Sequence, residues 1–254
     1  MEWSDDGIVL AARKHGEAAA IVTLLTRGHG RHAGLVRGGA GRRARGLYQP
    51  GNRVRATWRG RLADHLGAYT CEMTEAVAAG LLADPIRLAA LSAACAVAEA
   101  ALPERETHLS VYEGLEILLS SLADDEDEAG WPTVYVKWEM GLLQELGFGL
   151  DLSQCAATGD TEDLTHVSPK SGRAVSAAAA KPYQGKLLNL PGFLLKAGTL
   201  GPPDEIVAGL RLTGYFLDRH VFSQRRDPKQ PDARARLTER LRARANMHAD
   251  VRQP

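Results

Sequence analysis

At 254 residues, 44% hydrophobic and 24% charged, the chain has the makeup of a folded protein of two or three structural units, which excludes a disordered or fibrous polymer. Its 31 Lys and Arg balance its 31 Asp and Glu, yet the balance is segmental: residues 1–72 carry twelve basic against six acidic residues, residues 73–150 three against fourteen, and residues 151–254 sixteen against eleven. Net charges of +6, −11 and +5 predict parts with different partners, a basic part for a polyanion and an acidic part for something else.

The N-terminus, MEWSDDGIVLAARKHGE, lacks the basic start and long apolar run of a secretory signal, and no window reaches the roughly 18 apolar residues of a membrane span, so a cytoplasmic protein is expected. Cys71, Cys95 and Cys155 are three and widely spaced, with no CxxC, which speaks against a disulfide framework and for free thiols in a reducing compartment.

Residues 7 to 72 read as strands. GIVLAAR, AAIVTLLT, RHAGLVRG, NRVRATWRG and HLGAYTCEM are short β-branched or aromatic runs separated by glycine-bearing turns, the pattern of a small antiparallel barrel. In NRVRATWR the alternation is strict: Val54, Ala56 and Trp58 fall on an inward face, and Arg53, Arg55, Thr57 and Arg59 on a solvent face suited to a phosphate backbone. Helices follow. DPIRLAALSAACAVAEAALPE has Asp84 as N-cap and Pro85 at the first helical position; THLSVYEGLEILLSSLADD starts at Thr107 as cap; WPTVYVKWEMGLLQELGFG stops at Gly147 and Gly149. Residues 152–198 read as irregular with one alanine run, PPDEIVAGLRLTGYFLDRHV returns to helix, and DARARLTERLRARANMHADVRQP is a basic helix whose tail frays from Asn246. No solenoid-period repeat is present.

The segment Arg27 to Gly46, RGHGRHAGLVRGGAGRRARG, holds six arginines, seven glycines and no acid. A solvated loop ordinarily mixes charge signs, so this stretch is suited to an anion. Two GxGxxA matches, from Gly28 and Gly39, lack a following helix and a later acidic partner; Gly41 to Gly46 has P-loop spacing with Leu47 and Tyr48 where Lys and Ser or Thr are required. The glycines are better read as turns and as places of close backbone approach. Asp124 to Glu128 lacks the ligand alternation of a calcium loop, His108 and His166 lack a second histidine at ligand spacing, and no nucleophile motif is present, so no enzyme is predicted. What stands out is Arg27, Arg31, Arg37, Arg42, Arg43, Arg45, Arg53, Arg55, Arg59 and Arg61 within thirty-five residues of a small barrel. With Tyr48 and Trp58 nearby, and Trp58 pointing inward, they are the predicted contacts to single-stranded nucleic acid.

The chain also resembles the bacterial recombination mediator RecO family. The resemblance rests on WSDDGIVL, on the run from AAIVTLLT through RGHGRHAGLVRGGAGRRARGLYQPGNRVRATWRGRL, on YVKWEMGLLQELGFGLDLSQCAATG and VSPKSGRAVS, and on LRLTGYFLDRHVF with PDARARL, and so covers nearly the whole sequence. It implies an α+β multidomain fold: an N-terminal OB-fold β-barrel over residues 1–74, an α-helical domain over 75–150 and 199–254, and an insert over 151–198 like a zinc finger. It further implies binding of single- and double-stranded DNA, annealing of complementary strands, nucleoid association, partnership with RecR, and loading of RecA onto DNA coated with single-strand binding protein, whose C-terminal tail would enter an apolar pocket of the helical part.

One departure from the family concerns metal. The first ligand pair is here Cys155 and Thr158, and Ser176 and Ala179 stand in the second, so the insert is degenerate and no cofactor or structural metal is expected. The competing reading is an RNA-binding OB-fold factor, since the barrel and its charge do not distinguish the 2′-hydroxyl; an enzyme with a hidden site is supported by no motif.

Overall fold

In the computed structural model, which describes residues 1–124, 130–224 and 229–251, the N-terminal segment closes as a five-stranded barrel in the order β1-β2-β3-β5-β4. Strand β1 (Glu2–His15) is long because it serves two neighbours: its first half pairs with β4 (Arg53–Arg59), and from Gly7 onward it pairs with β2 (Ala19–Thr26), with an irregularity between Val9 and Ala11. Such a bulge bends the strand and lets one ribbon turn the barrel's corner. β3 (Gly30–Val36) pairs with β2, and after the short helix α1 (Arg42–Leu47) and β4 comes β5 (Ala68–Glu75), which lies antiparallel to β4 and meets β3 in parallel at Leu35 and Ala68. This is the OB-fold topology.

Val9, Val22, Leu24, Val36, Val54, Ala56, Trp58 and Tyr69 fill the barrel, so the alternation in NRVRATWR is realised, with Trp58 inside. Each fully buried Leu or Val contributes roughly 1.5–3 kcal/mol. Three segments depart from expectation. The polar residues 2–6 belong to β1, held by long-range pairing such as Trp3 opposite Trp58. Part of the glycine-arginine stretch is helical, as α1. Thr107 does not cap the helix that follows it: His108 stands at the N-cap, and the Thr107 hydroxyl donates to Gly28 O (2.9 Å).

The chain forms two compact units. Met1–Asp124 with Pro231–Arg234 makes one, and the remaining described residues the other. In the first, α2 (Val77–Gly80), α3 (Pro85–Ala101) and α4 (Leu109–Ala123) follow the barrel, and α3 packs on β1 and β2. Asp84 caps α3 as predicted, its carboxylate accepting from Ile86 N and Arg87 N. The buried Arg87 in turn donates to Leu122 O (2.9 Å) and Asp124 O (2.6 Å) at the end of α4.

In the second unit α5 (Trp131–Glu145) packs on α7 (Pro203–His220), and the buried Thr213 hydroxyl donates to the Glu139 carboxylate (2.5 Å). Between them in sequence, β6 (Leu164–Val167), β7 (Ala174–Ser176) and β8 (Leu188–Asn189) form a small sheet in the order β7-β6-β8, with α6 (Ala177–Ala180) after β7. The segment expected to be irregular thus contains strands too short to show a period. Helix α8 (Asp232–Val251) is the basic helix and continues past Asn246; residues 252–254 lie outside the described residues, as does all of the acidic run after Asp124. No helix of the described residues is long and apolar enough to cross a membrane.

Candidate nucleic-acid interface

The ten arginines fall into three groups. Five are bound to carboxylates. Arg55 pairs with Asp6 (2.9 Å) and Arg59 with Glu2 (2.8 Å) across the β1–β4 ladder. Arg53 pairs with Glu75 on β5 and with Glu116 on α4 (3.0 Å), Arg27 with Glu113 on α4 (2.8 Å), and Arg31 with Glu104 (3.4 Å) while its Nε donates to Leu102 O (2.7 Å). The Arg59 guanidinium holds Glu2 below the usual carboxylate range, and Asp6 raises Arg55. Exposed pairs of this kind are worth only about 0.2–1 kcal/mol each. Their effect on a ligand is larger than on the fold, because a paired arginine leaves little net positive field at the surface.

Part of the acidic stretch after the barrel is used inside the same unit: Glu104, Glu113 and Glu116 answer barrel arginines. The solvent face of β4 is likewise a row of ion pairs, not of open cations.

The second group is Arg37, Arg42, Arg43 and Arg45. All four are exposed, and none forms an ion pair with another described residue. They lie on the connection from β3 to β4, which shares one end of the barrel with the β1–β2 turn: Ala20 pairs with Val36, and Ala40 N donates to Ala18 O (3.1 Å). Gly39 makes this approach possible, since a Cβ there would sit 2.8 Å from that of Ala20. Between the two connections opens a cleft of about 490 Å³, lined by Ala12, Lys14, Glu17, Arg45, Tyr48 and Gln49 among others. The third group is Arg61 alone, exposed beyond the far end of β4, where the Met1 ammonium donates to Gly60 O (2.8 Å).

Of the two aromatic residues singled out in the sequence, Tyr48 departs from the expectation and Trp58 lies inward as its alternation predicts. Tyr48 is buried among the barrel core, and burial first, then Cys71, raises its hydroxyl beyond the usual range; burial likewise pushes the Cys71 thiol up to about 11. Trp58 is inside, its Nε1 donating to Leu66 O (3.0 Å). The half-buried aromatic that the sequence reading missed is Trp3, stacked on His29 (4.0 Å between ring centroids, 8° between planes), whose Nδ1 lies 3.1 Å from Asp5 Oδ2. A tryptophan two residues before a charged pair carried no local signal; its place is set by its partner on β4.

In the insert, Cys155, Thr158, Ser176 and Ala179 stand where the resemblance would put metal ligands. Ser176 N and Oγ lie 3.3 and 3.5 Å from Cys155 Sγ, and the Ser176 and Thr158 hydroxyls with the Ser176 amide hold the thiol down to about 6. One sulfur, two hydroxyls and a methyl do not make a tetrahedral zinc set. Among the described residues no group of three or more His, Cys, Asp or Glu is placed to hold a metal ion.

A five-stranded OB barrel followed along the chain by helices, with four exposed arginines at one barrel end that pair with no described carboxylate, defines an OB-fold protein with a helical region. The family models give the particular class: recombination protein O N terminal matches residues 1–77 and recombination protein O C terminal matches residues 82–229. The chain belongs to the recombination protein O (RecO) family. It is 53% identical over 244 residues to the DNA repair protein RecO of Rhodospirillum centenum, covering 95% of each chain. It is 52% identical over 245 residues to that of Rhodospirillum rubrum, covering 95% of this chain and 97% of the other, and 51% identical over 241 residues to that of Phenylobacterium zucineum, covering 95% and 98%.

Proposed function

We propose that this protein acts in DNA repair and recombination as a mediator without catalytic chemistry. It binds single- and double-stranded DNA, anneals complementary strands, and helps load RecA onto DNA coated with single-strand binding protein, with RecR as a partner in the nucleoid. Residues 1–74 form the DNA-binding domain; residues 75–150 and 199–254 offer the partner surface, including a pocket for the tail of the single-strand binding protein, and residues 151–198 form the insert.

One observation carries the reading: Arg37, Arg42, Arg43 and Arg45, which form no ion pair among the described residues, are gathered at one end of the OB barrel of a RecO-family chain. Guanidinium groups that neutralise phosphates release condensed counterions, which gives affinity that is blind to sequence and steep in salt. Two strands repel through their phosphates, and a cationic scaffold that screens this while leaving base edges open lowers the barrier to annealing.

The test is fluorescence anisotropy of labelled single-stranded DNA across a salt series. Changing Arg42, Arg43 and Arg45 together to alanine should flatten the slope by about 0.7 for each phosphate no longer neutralised. The double change R55A/R59A, which removes two paired arginines, should leave the slope close to wild type. Equal slopes for wild type and the triple variant would sink the assignment.

A further inference from the structure

The cleft at the arginine-bearing end of the barrel has a mixed polarity that phosphate contacts alone do not explain. Its cations are Lys14 on β1 and Arg45 on α1, yet Glu17 lines it as well, and none of the three forms an ion pair with another described residue. A carboxylate repels phosphate. It accepts hydrogen bonds, and nucleobase edges bear N–H donors. Gln49, exposed after α1, can both donate and accept. The walls are small and apolar: Ala12, Ala20, Ala40 and Pro50, with Tyr48 at the base. Ala12 and Lys14 are two apart on β1 and so share a face, which places a methyl where a longer residue would close the slot.

Its volume, about 490 Å³, lies within the range of roughly 300–1,000 Å³ for clefts that enclose small ligands. From this combination we infer that the cleft receives a single unpaired nucleotide, its phosphate on Lys14 and Arg45 and its base between the alanine walls, with Glu17 and Gln49 at the base edge. The inference rests on the DNA-binding reading above and goes further: the arginines hold backbone, whereas the cleft holds a base. A base stacked within a duplex cannot enter, so the cleft confers a preference for single strands.

The experiment uses the full chain and a labelled 15-mer in two forms, one normal and one carrying abasic sites. Wild type should prefer the normal strand by roughly fivefold, the size of one net hydrogen bond to the base edge. A12F, at an exposed position, fills the slot and should abolish the preference while the salt slope stays as in wild type. The double change E17A/Q49A, also at exposed positions, should reduce the preference in the same way, which guards against a folding defect in the first variant. A wild type that binds both strands equally, or variants that keep the preference, overturns the inference and leaves the phosphate-binding reading intact. A wild type that binds neither strand overturns the DNA-binding reading itself. An acidic peptide that competes for the cleft in an Ala12-dependent way where adenosine monophosphate does not would reassign it to a protein carboxylate.

Discussion

Arg45 and Arg59 are the same residue type on the same barrel, both exposed, and they offer a ligand different things. Arg59 has Glu2 opposite it on the neighbouring strand, while Arg45 sits on a connection with no acid in its own stretch. The sequence made the cluster legible and made Trp58's inward place legible by alternation. It did not reveal the pairing, because Asp6 and Glu2 meet Arg55 and Arg59 through strand register across some fifty positions, and Glu113 and Glu116 meet Arg27 and Arg53 through the docking of a helix.

His32 is a second residue whose state is set by neighbours. It is buried beside Tyr69, Trp3 and Trp58, with the Tyr69 hydroxyl 3.1 Å from its Nδ1, and burial first, then Arg105, pushes it down to about 4. His29 also acts to lower it, and Glu104 to raise it. The unfolded chain, with an ordinary histidine near 6.5, takes up a proton that the folded barrel refuses. Stability is therefore full above about pH 6.5 and falls as pH drops toward 4. Urea midpoints measured at pH 7 and pH 4.5 should show this loss, and H32Q should reduce the difference between them.

At the scale of elements, helices with a strong boundary signal were legible: Asp84 and Pro85 for α3, Pro132 and Gly147 for α5, Pro202 and Pro203 for α7. Those without one were not. Helix α1 has Gly41 at its N-cap with no side-chain hydrogen bond and Gly46 inside it, so local propensity argues against it; it forms where Tyr48 is anchored in the core. The strands of the insert are two to four residues long, below the length at which alternation can be read. The insert's degenerate ligand set was legible from residue types alone, but the hydrogen bonds that gather Cys155, Ser176 and Thr158 were not.

Helix α4 illustrates how one element finishes another. Its last carbonyls have no intrahelical partner, and Arg87 from α3 donates to Leu122 and Asp124 there, at the end where the helix dipole favours a cation. R87M keeps the aliphatic stem and removes both bonds, leaving the buried Leu122 carbonyl without this donor. We expect a loss of about 2 kcal/mol, read from denaturant unfolding, because hydrogen bonds from a charged donor contribute roughly 1.5–3 kcal/mol.

For the whole molecule, the zero net charge conceals an internal settlement. The basic first segment folds into one compact unit with residues 73–124, where Glu104, Glu113 and Glu116 meet Arg31, Arg27 and Arg53, while Arg37, Arg42, Arg43 and Arg45 at one barrel end pair with no described carboxylate. A protein without net charge has little long-range attraction for a polyanion; its encounter with one depends on local potential and on orientation. The polarity along the chain was legible, and its destination was not, since composition records how much charge a segment holds and not which face it turns to another.

The barrel's closure carries a last consequence. Four of its five junctions are antiparallel ladders of several residue pairs, whereas β3 and β5 meet only at Leu35 and Ala68, joined by the bond from Leu35 N to Gly67 O (3.0 Å). Gly34 lies beneath the Tyr69 ring there, in a space that a Cβ would invade at 2.3 Å. If the barrel breathes, it unzips along this line first. In native-state deuterium exchange the Leu35 amide should therefore lose its protection well before those of Val22 and Leu24, and the time between the two marks how long the cylinder stays shut.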